Sequence, residues 1–372
     1  MILCQCPCFP QTTQELKTHE FNLPLATDDP GLLLRMEIDF DKKPVFTTKP
    51  DFKGSEIIYG YMKTGDDKFD IPFAWDFSTA TLYIDANRNA DLTDDTDAVF
   101  RTEEGIRQEF EDIKLNLSYL STTLPLTVSI SLNKFDEYTY GSASLVYGFK
   151  QNITLDNKKY KLLVTDNLDG QLNKEDLFTI LPRDPNNMLL TQMCSVYLPE
   201  RLFLEGKCYE CLFEYRVDDF DKLSVDATFT EVPIICALVQ INAKFIERLV
   251  LVGGDITSIL FQPRDTISVP VGTYECLDIC LAASDRLLIA SNNPRTLELT
   301  IGDTEVVDFK GGDPLKPSVE ILRRAGRNLT LSYELKGSAG ESYPSNFDYE
   351  KPPIFEAYKG EKLIASGEFE YG

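Results

Sequence analysis

Leu82-Tyr-Ile-Asp-Ala-Asn-Arg-Asn-Ala-Asp-Leu-Thr-Asp-Asp-Thr-Asp97 is a short apolar run that opens into a polar loop. Oxygen-bearing side chains fall at every second position of that loop: Asp85, Asn87, Asn89, Asp91 and Thr93. Five Asp residues face a single basic residue, Arg88. A hard cation such as Ca²⁺ takes about six to eight oxygen ligands, and alternating Asp and Asn on a tight loop supply them. Leu92 is the one large apolar residue of the loop and is placed to anchor it to a core. On this reading Asp85, Asn87 and Asn89 contribute side-chain oxygens and Asp91 its carbonyl. Asp95 or Asp97 stands in for the acid that such loops carry at their twelfth position, where this chain has Thr96.

The pattern returns at an offset of 80 residues, with Thr165 in the place of Asp85. Leu82-Tyr83-Ile84 aligns with Leu162-Leu163-Val164, Asn87 with Asn167, Asn89 with Asp169, Ala90 with Gly170, and Leu92 with Leu172. An apolar strand feeding a polar loop, twice and in one register, reads as an internal repeat. The second candidate set is Thr165 or its neighbour Asp166, then Asn167, Asp169, the Gln171 carbonyl and Asp176 at the twelfth position. The competing interpretation of both stretches is a solvated turn, since Asn and Asp side chains readily hydrogen-bond their own backbone.

Both loops resemble the calcium loops of EF-hand and dockerin-type proteins, over about a dozen residues each. Their flanks depart from the EF-hand. Residues 81–84 and 160–164 are rich in β-branched and aromatic types and too short for helices, so a helix–loop–helix sensor is not expected. The whole arrangement is similar to uncharacterised secreted proteins of environmental bacteria, which join a strand–loop–strand module to β-sandwich domains. The residues that carry this likeness are 82–97, 162–176 and the closing stretch 340–372. The resemblance implies export and calcium, and no particular activity.

Composition narrows the classes. The chain has 60 acidic and 37 basic residues in 372, a formal net charge of −23. A surface so acidic argues against nucleic acid and against anionic membranes as partners. At 43% hydrophobic residues, with 23 Phe and 17 Tyr, the chain can bury substantial cores. No stretch reaches the roughly 18 apolar residues of a membrane span; residues 232–239 form the best run and read as one buried strand. The N-terminal Met1-Ile-Leu-Cys-Gln-Cys-Pro-Cys8 lacks the basic region and apolar length of a complete signal peptide, which leaves the remnant of one or of a lipoprotein leader as readings.

The nine cysteines include Cys208-Tyr-Glu-Cys211 and Cys276-Leu-Asp-Ile-Cys280. Four thiolates could hold zinc, but both pairs lie in strand-like segments, so buried thiols or one disulfide are the expectation. His19 is the only histidine and falls near what should be a loose N-terminus, which leaves little room for triad or histidine-metal chemistry. Trp75 is assigned to the core. Carboxylate pairs such as Asp218-Asp219, with Asp221 and Glu341 elsewhere, leave open a hydrolase that uses two acids on a carbohydrate.

Strand-like alternation recurs at 126–132, 142–149, 201–203, 222–229, 266–271, 296–301, 318–322, 328–335 and 362–371, with turn clusters between. Helical candidates are limited to 14–19 and 173–178. The fold class expected is mostly β: several antiparallel β-sandwiches with strand-flanked calcium-type loops. The domains expected are 1–185 with both loops, a β domain over 186–310 after a linker near 182–187, and a small Ig-like sandwich over 311–372. The function expected is a non-enzymatic, calcium-stabilised protein of the periplasm, cell surface or exterior. The alternative is a carbohydrate-binding or carbohydrate-hydrolysing protein, and a third option is an adhesion module with a protein partner at the cell surface.

Overall fold

The computed structural model describes residues 16–183, 195–218, 222–283, 286–291, 297–302, 306–325, 328–343 and 354–369. Strands hold 64% of the chain and helix 3%, so the fold is mostly β, as the alternation predicts. The helical residues are single 3₁₀ turns, Pro30–Leu32, Asp67–Phe69 and Phe77–Thr79.

Two large sheets dominate. The first has eight strands in the order Val99–Arg101, Thr81–Ile84, Ile71–Asp76, Ile57–Met62, Leu33–Asp39, Tyr138–Val146, Thr122–Phe135, Arg107–Tyr119. Every neighbouring pair in it is antiparallel. The second has thirteen strands. Its order begins Val196–Tyr197, Leu177–Pro182, Lys158–Thr165, Gly148–Leu155, and continues through Thr18–Ala26, Leu223–Val232 and Lys207–Val217. It then runs through Arg201–Leu204, Ile256–Phe261, Ile246–Gly253, Gly272–Ala283 and Arg286–Ser291. Glu298–Ile301 also pairs with Gly272–Ala283. This sheet is continuous across residue 185, because the N-terminal strand Thr18–Ala26 bridges Gly148–Leu155 and Leu223–Val232.

The sheets stack because their strands are apolar on one face. In Thr122–Phe135 every even-numbered position from Thr122 to Leu132 is buried, and its odd-numbered positions face outward, the period-two pattern of a half-buried strand. The largest core joins Met36, Phe73, Trp75 and Leu126 of the first sheet to Leu23, Phe149, Leu162, Phe178 and Phe229 of the second. Trp75 is fully buried, and its indole nitrogen donates to Gln108 Oε1 at 2.7 Å. A second core packs Phe203, Leu249, Leu251 and Ile279 of the long sheet on Val239, Ile241, Val269 and Phe309. Those partners come from a three-stranded sheet of Cys236–Ile241, Asp265–Pro270 and Val307–Phe309. The long sheet thus serves two sandwiches. Along Ile246–Gly253, Val250 faces the first core while Leu249 and Leu251 face the second. Beyond residue 311, Lys316–Ala325, Asn328–Lys336 and Ser342–Tyr343 form one small sheet, and Ile354–Lys359 and Lys362–Glu368 form another.

Several expectations need correction. Residues 232–239 are not one strand: Leu223–Val232 ends there and Cys236–Ile241 begins, since Pro233 has no N–H for the ladder. Residues 173–178 are not a helix. Asp176 N donates to Asn173 O at 3.1 Å to make a single turn, and strand Leu177–Pro182 follows at once. Of 14–19, residues 14 and 15 lie outside the described residues, and Thr18 and His19 open strand Thr18–Ala26. His19 is therefore not loose; its Nε2 lies 3.7 Å from Asp156 Oδ1.

The five described cysteines are free thiols. Cys208 belongs to the second core and Cys211 packs against the first, because residues three apart on a strand face opposite ways. They cannot share one ion or one bond, so of the two expectations free thiols stand and a disulfide within this pair does not. Cys4, Cys6, Cys8 and Cys194 lie outside the described residues, as do Asp219, Asp221 and most of the expected linker. Among the described residues no helix is long and apolar enough to cross a membrane.

Candidate functional site: two polar loops at one seam

Each loop closes a pair of adjacent antiparallel strands. Residues 85–98 join Thr81–Ile84 to Val99–Arg101, with Tyr83 opposite Val99. Residues 166–176 join Lys158–Thr165 to Leu177–Pro182, with Thr165 opposite Leu177. The two loops therefore belong to different sheets. The repeat is one of strand–loop–strand units in two sheets and not of neighbours in one sheet.

The backbones match in detail. Arg88 and Ala90 are left-handed, at φ 58° and 65°, and Leu168 and Gly170 repeat this at φ 65° and 83°, in the register of the 80-residue offset. A left-handed residue other than Gly costs roughly 1–2 kcal/mol, so Arg88, Ala90 and Leu168 must be held there by their surroundings. Side-chain oxygens do the holding. Asp85 Oδ1 and Oδ2 accept from the amides of Asn89 and Ala90 at 3.1 and 2.9 Å. Asn87 accepts from Asn89 N at 2.9 Å, Asn89 from Asp91 N at 2.8 Å, and Asp91 from Thr93 N at 2.8 Å. In the second loop Asn167 accepts from Asp169 N at 2.9 Å and Asp169 from Gln171 N at 2.7 Å. Leu92 anchors the first loop as its position suggested: it is 2% exposed and packs in a cluster with Phe46 and Ala74.

Charge distinguishes the loops. In the first, Asp94 accepts from the amide nitrogens of Asn87 and Asn89, the latter at 2.6 Å. Asp95 is 6% exposed, and its Oδ2 has no hydrogen-bond partner among the described residues. Burial, then the neighbouring charges of Asp85 and Asp94, push the Asp95 carboxyl up to about 6, although the amides of Ala86 and Asn87 oppose the shift. Burial also raises Asp85. Arg88, the only cation of the loop, lies within the field of Asp85 but gives its hydrogen bonds to the carbonyls of Phe69, at 3.1 Å, and Ser118. Asp97 stays exposed outside this set.

In the second loop Asp166 meets hydroxyl donors. Asp166 is fully buried; its Oδ2 accepts from the hydroxyls of Tyr215, Tyr119 and Tyr147 at 2.5, 2.6 and 3.1 Å, and its Oδ1 from Leu168 N at 2.7 Å. Tyr119 in turn accepts from Gly170 N at 2.8 Å. Asp176 accepts from the amides of Asn167 and Asn173 at 2.9 and 2.7 Å, and Asp169 accepts from Asn173 Nδ2 at 2.9 Å. Burial, followed by Asp166 and Asp169, lifts Asp176 to about 7. Gln171 is exposed, with its amide bonded to Asp169.

The structure brings the loops to one seam between the sheets. Gly65 N donates to Asn167 O at 2.9 Å, Ser118 N to Ala86 O at 3.3 Å, and Phe69 packs on Tyr119 at a tilt of 59°, with ring centroids 5.2 Å apart. A Cβ on Gly170 would come within 2.7 Å of Phe69, so the residue there must be small as well as left-handed. Sequence reasoning missed Asp94, which occupies no ligand position of the linear template. It also missed the tyrosines around Asp166, which lie 47, 19 and 49 residues away. Glu341, weighed as a catalytic acid, instead caps a turn by accepting from Gly312 N and Ala339 N.

All the candidate donors are oxygens, the chemistry of a hard cation. Among the described residues no group of three or more His, Cys, Asp and Glu side chains is placed to hold a metal, so any coordination set would draw on Asn and backbone oxygens too. No protein-family model matches this chain, and no curated protein and no solved structure does either.

Proposed function

We propose that the first loop binds Ca²⁺ and that the ion's role is structural: a non-enzymatic, calcium-stabilised β protein. The observation that carries this reading is Asp95 Oδ2, buried without a partner beside Asp85 and Asp94 while Arg88 gives its hydrogen bonds to carbonyls. A buried carboxylate without a counter-charge is costly, and a divalent ion is the counter-charge that an all-oxygen loop selects. Asp85, Asn87, Asn89, the Asp91 carbonyl and Asp95 are the proposed ligands, with Asp94 completing the acidic side. The second loop has the same backbone but is closed by tyrosine hydroxyls and amides, so Asp166, Asn167, Asp169, Gln171 and Asp176 are assigned a structural role first. Weak loops of this type suit surroundings rich in calcium, which places the protein at the cell envelope or exterior on this reading. We also propose that residues 311–372 form a small Ig-like module.

Thermal melts in calcium and in EDTA test the proposal. A Kd of about 10⁻⁴–10⁻³ M, as in extracellular modules, gives about 1–2 kcal/mol at roughly 2 mM calcium. The melting temperature should then rise by about 2–6 °C. Asp85→Ala should lose the rise. Superimposable wild-type curves with and without calcium would overturn the reading.

A further inference from the structure

A groove of about 1540 Å³ lies beside the seam. Its walls come from five stretches of chain: the strand Thr18–Ala26, the segment around Phe69, Arg88 of the first loop, the turn joining Arg107–Tyr119 to Thr122–Phe135, and the end of Lys207–Val217 with the start of Leu223–Val232. It does not involve the Asp95 side of the first loop. Ligand pockets typically measure about 300–1,000 Å³, so this groove has room for a chain of several rings rather than one small ion.

Its chemistry runs against that of the rest of the surface. Arg88, Arg216 and Lys222 line it with a single acid, Asp218, in a chain with a net charge of −23. Arg88 makes no ion pair with a described carboxylate; its guanidinium is fixed by two carbonyls and lies 5.2 Å above the Phe69 ring. Arg216 is held loosely by Asp226 at 3.5 Å, and its side chain is 60% exposed. Guanidinium groups that keep free N–H donors favour carboxylate or sulfate oxygens. Between the cations the walls carry hydroxyls, from Ser118, Ser121, Thr123 and Ser224, and the ring of Phe69. Hydroxyl-lined walls with one aromatic face suit a polyhydroxylated ring better than a peptide side chain.

We infer that this groove binds an acidic oligosaccharide, a glycan bearing carboxylate or sulfate groups, with Arg88 and Arg216 on its anionic groups. The inference does not depend on calcium in the first loop. Isothermal titration of the full chain with three probes tests it: an oligogalacturonate, a sulfated oligosaccharide and a neutral cello-oligosaccharide, with oligo-glutamate as the peptide control. At least one of the two anionic glycans should bind, and which one does separates uronate from sulfate recognition. Arg216→Gln should weaken that binding about tenfold, the effect of losing one charge-assisted contact. Arg216 is exposed, so this variant keeps the fold even if Arg88→Gln disturbs the seam. No binding of either anionic glycan, binding unchanged in Arg216→Gln, or equal binding of the neutral glycan or of oligo-glutamate would each overturn the inference.

Discussion

The two loops share a backbone and differ in what neutralises them. Both place left-handed residues in the same register, and both fold side-chain oxygens onto amides two residues ahead. Around Asp166 the protein has brought three tyrosine hydroxyls and one amide to a single carboxylate. Around Asp95 it has brought two more acids. The difference teaches that a loop backbone of this kind can be kept in two ways. One is internal, by hydroxyl donors from neighbouring strands. The other, on the calcium proposal, uses a positive charge from outside. Which way is in use cannot be read from the loop residues alone, because the donors belong to distant strands.

The strongest way to break the comparison is to remove the internal answer. Asp166→Ala strands buried tyrosine hydroxyls at the junction of both sheets, since Tyr119 belongs to the first and Tyr147 lies directly before a strand of the second. The expected loss is about 3–5 kcal/mol in urea denaturation, independent of calcium. A loss below about 1 kcal/mol would show that the cluster is not what holds the second loop.

Asp95→Asn should act in the opposite direction. The folded-state value near 6 lies above the ordinary 3.8, so the folded chain binds this proton more tightly than the unfolded one. Its contribution is fully present below about pH 4 and is lost as pH rises through about 6. At pH 7 without calcium the variant should be more stable than wild type by on the order of 1–2 kcal/mol, and it should no longer respond to calcium. Calcium affinity of the wild type should increase between pH 5 and 7, as the ion displaces that proton. A variant that still gains stability from calcium would move the site away from Asp95.

The smallest contrast is the sharpest. Asn87→Ala and Asn167→Ala each remove one turn-closing hydrogen bond in equivalent positions, at 2.9 Å in both loops. Each should cost about 0.5–1.5 kcal/mol in EDTA. In calcium the cost of Asn87→Ala should grow while that of Asn167→Ala stays the same. Equal costs under both conditions would make the loops alike after all.

Much of the fold was legible because strands with one wet face write their period into the sequence, as Thr122–Phe135 does. The first loop was legible because local spacing sets its geometry, down to Leu92 reaching the core. The failures have physical causes. Pro233 broke an apolar run that hydrophobicity alone made continuous. Residues 173–178 look helical because Asn173 and Asp176 cap their turn in the manner of a helix start, yet the turn runs straight into strand Leu177–Pro182. The crossing of Thr18–Ala26 into the long sheet, and the meeting of Tyr119, Tyr147 and Tyr215 on Asp166, join residues far apart in the chain, and no local pattern encodes them.

Trp75 gives the molecule a built-in optical reporter. It is the only indole in the chain, fully buried, capped by Gln108, and paired across the ladder with Leu82, the strand from which the first loop departs. Its fluorescence therefore reads the first sheet and the core it shares with the second, whereas far-ultraviolet circular dichroism averages all the strands. Coincident transitions by the two methods would mark the shared core as one cooperative unit, and an early red shift of the emission would mark the first sheet as the first to open.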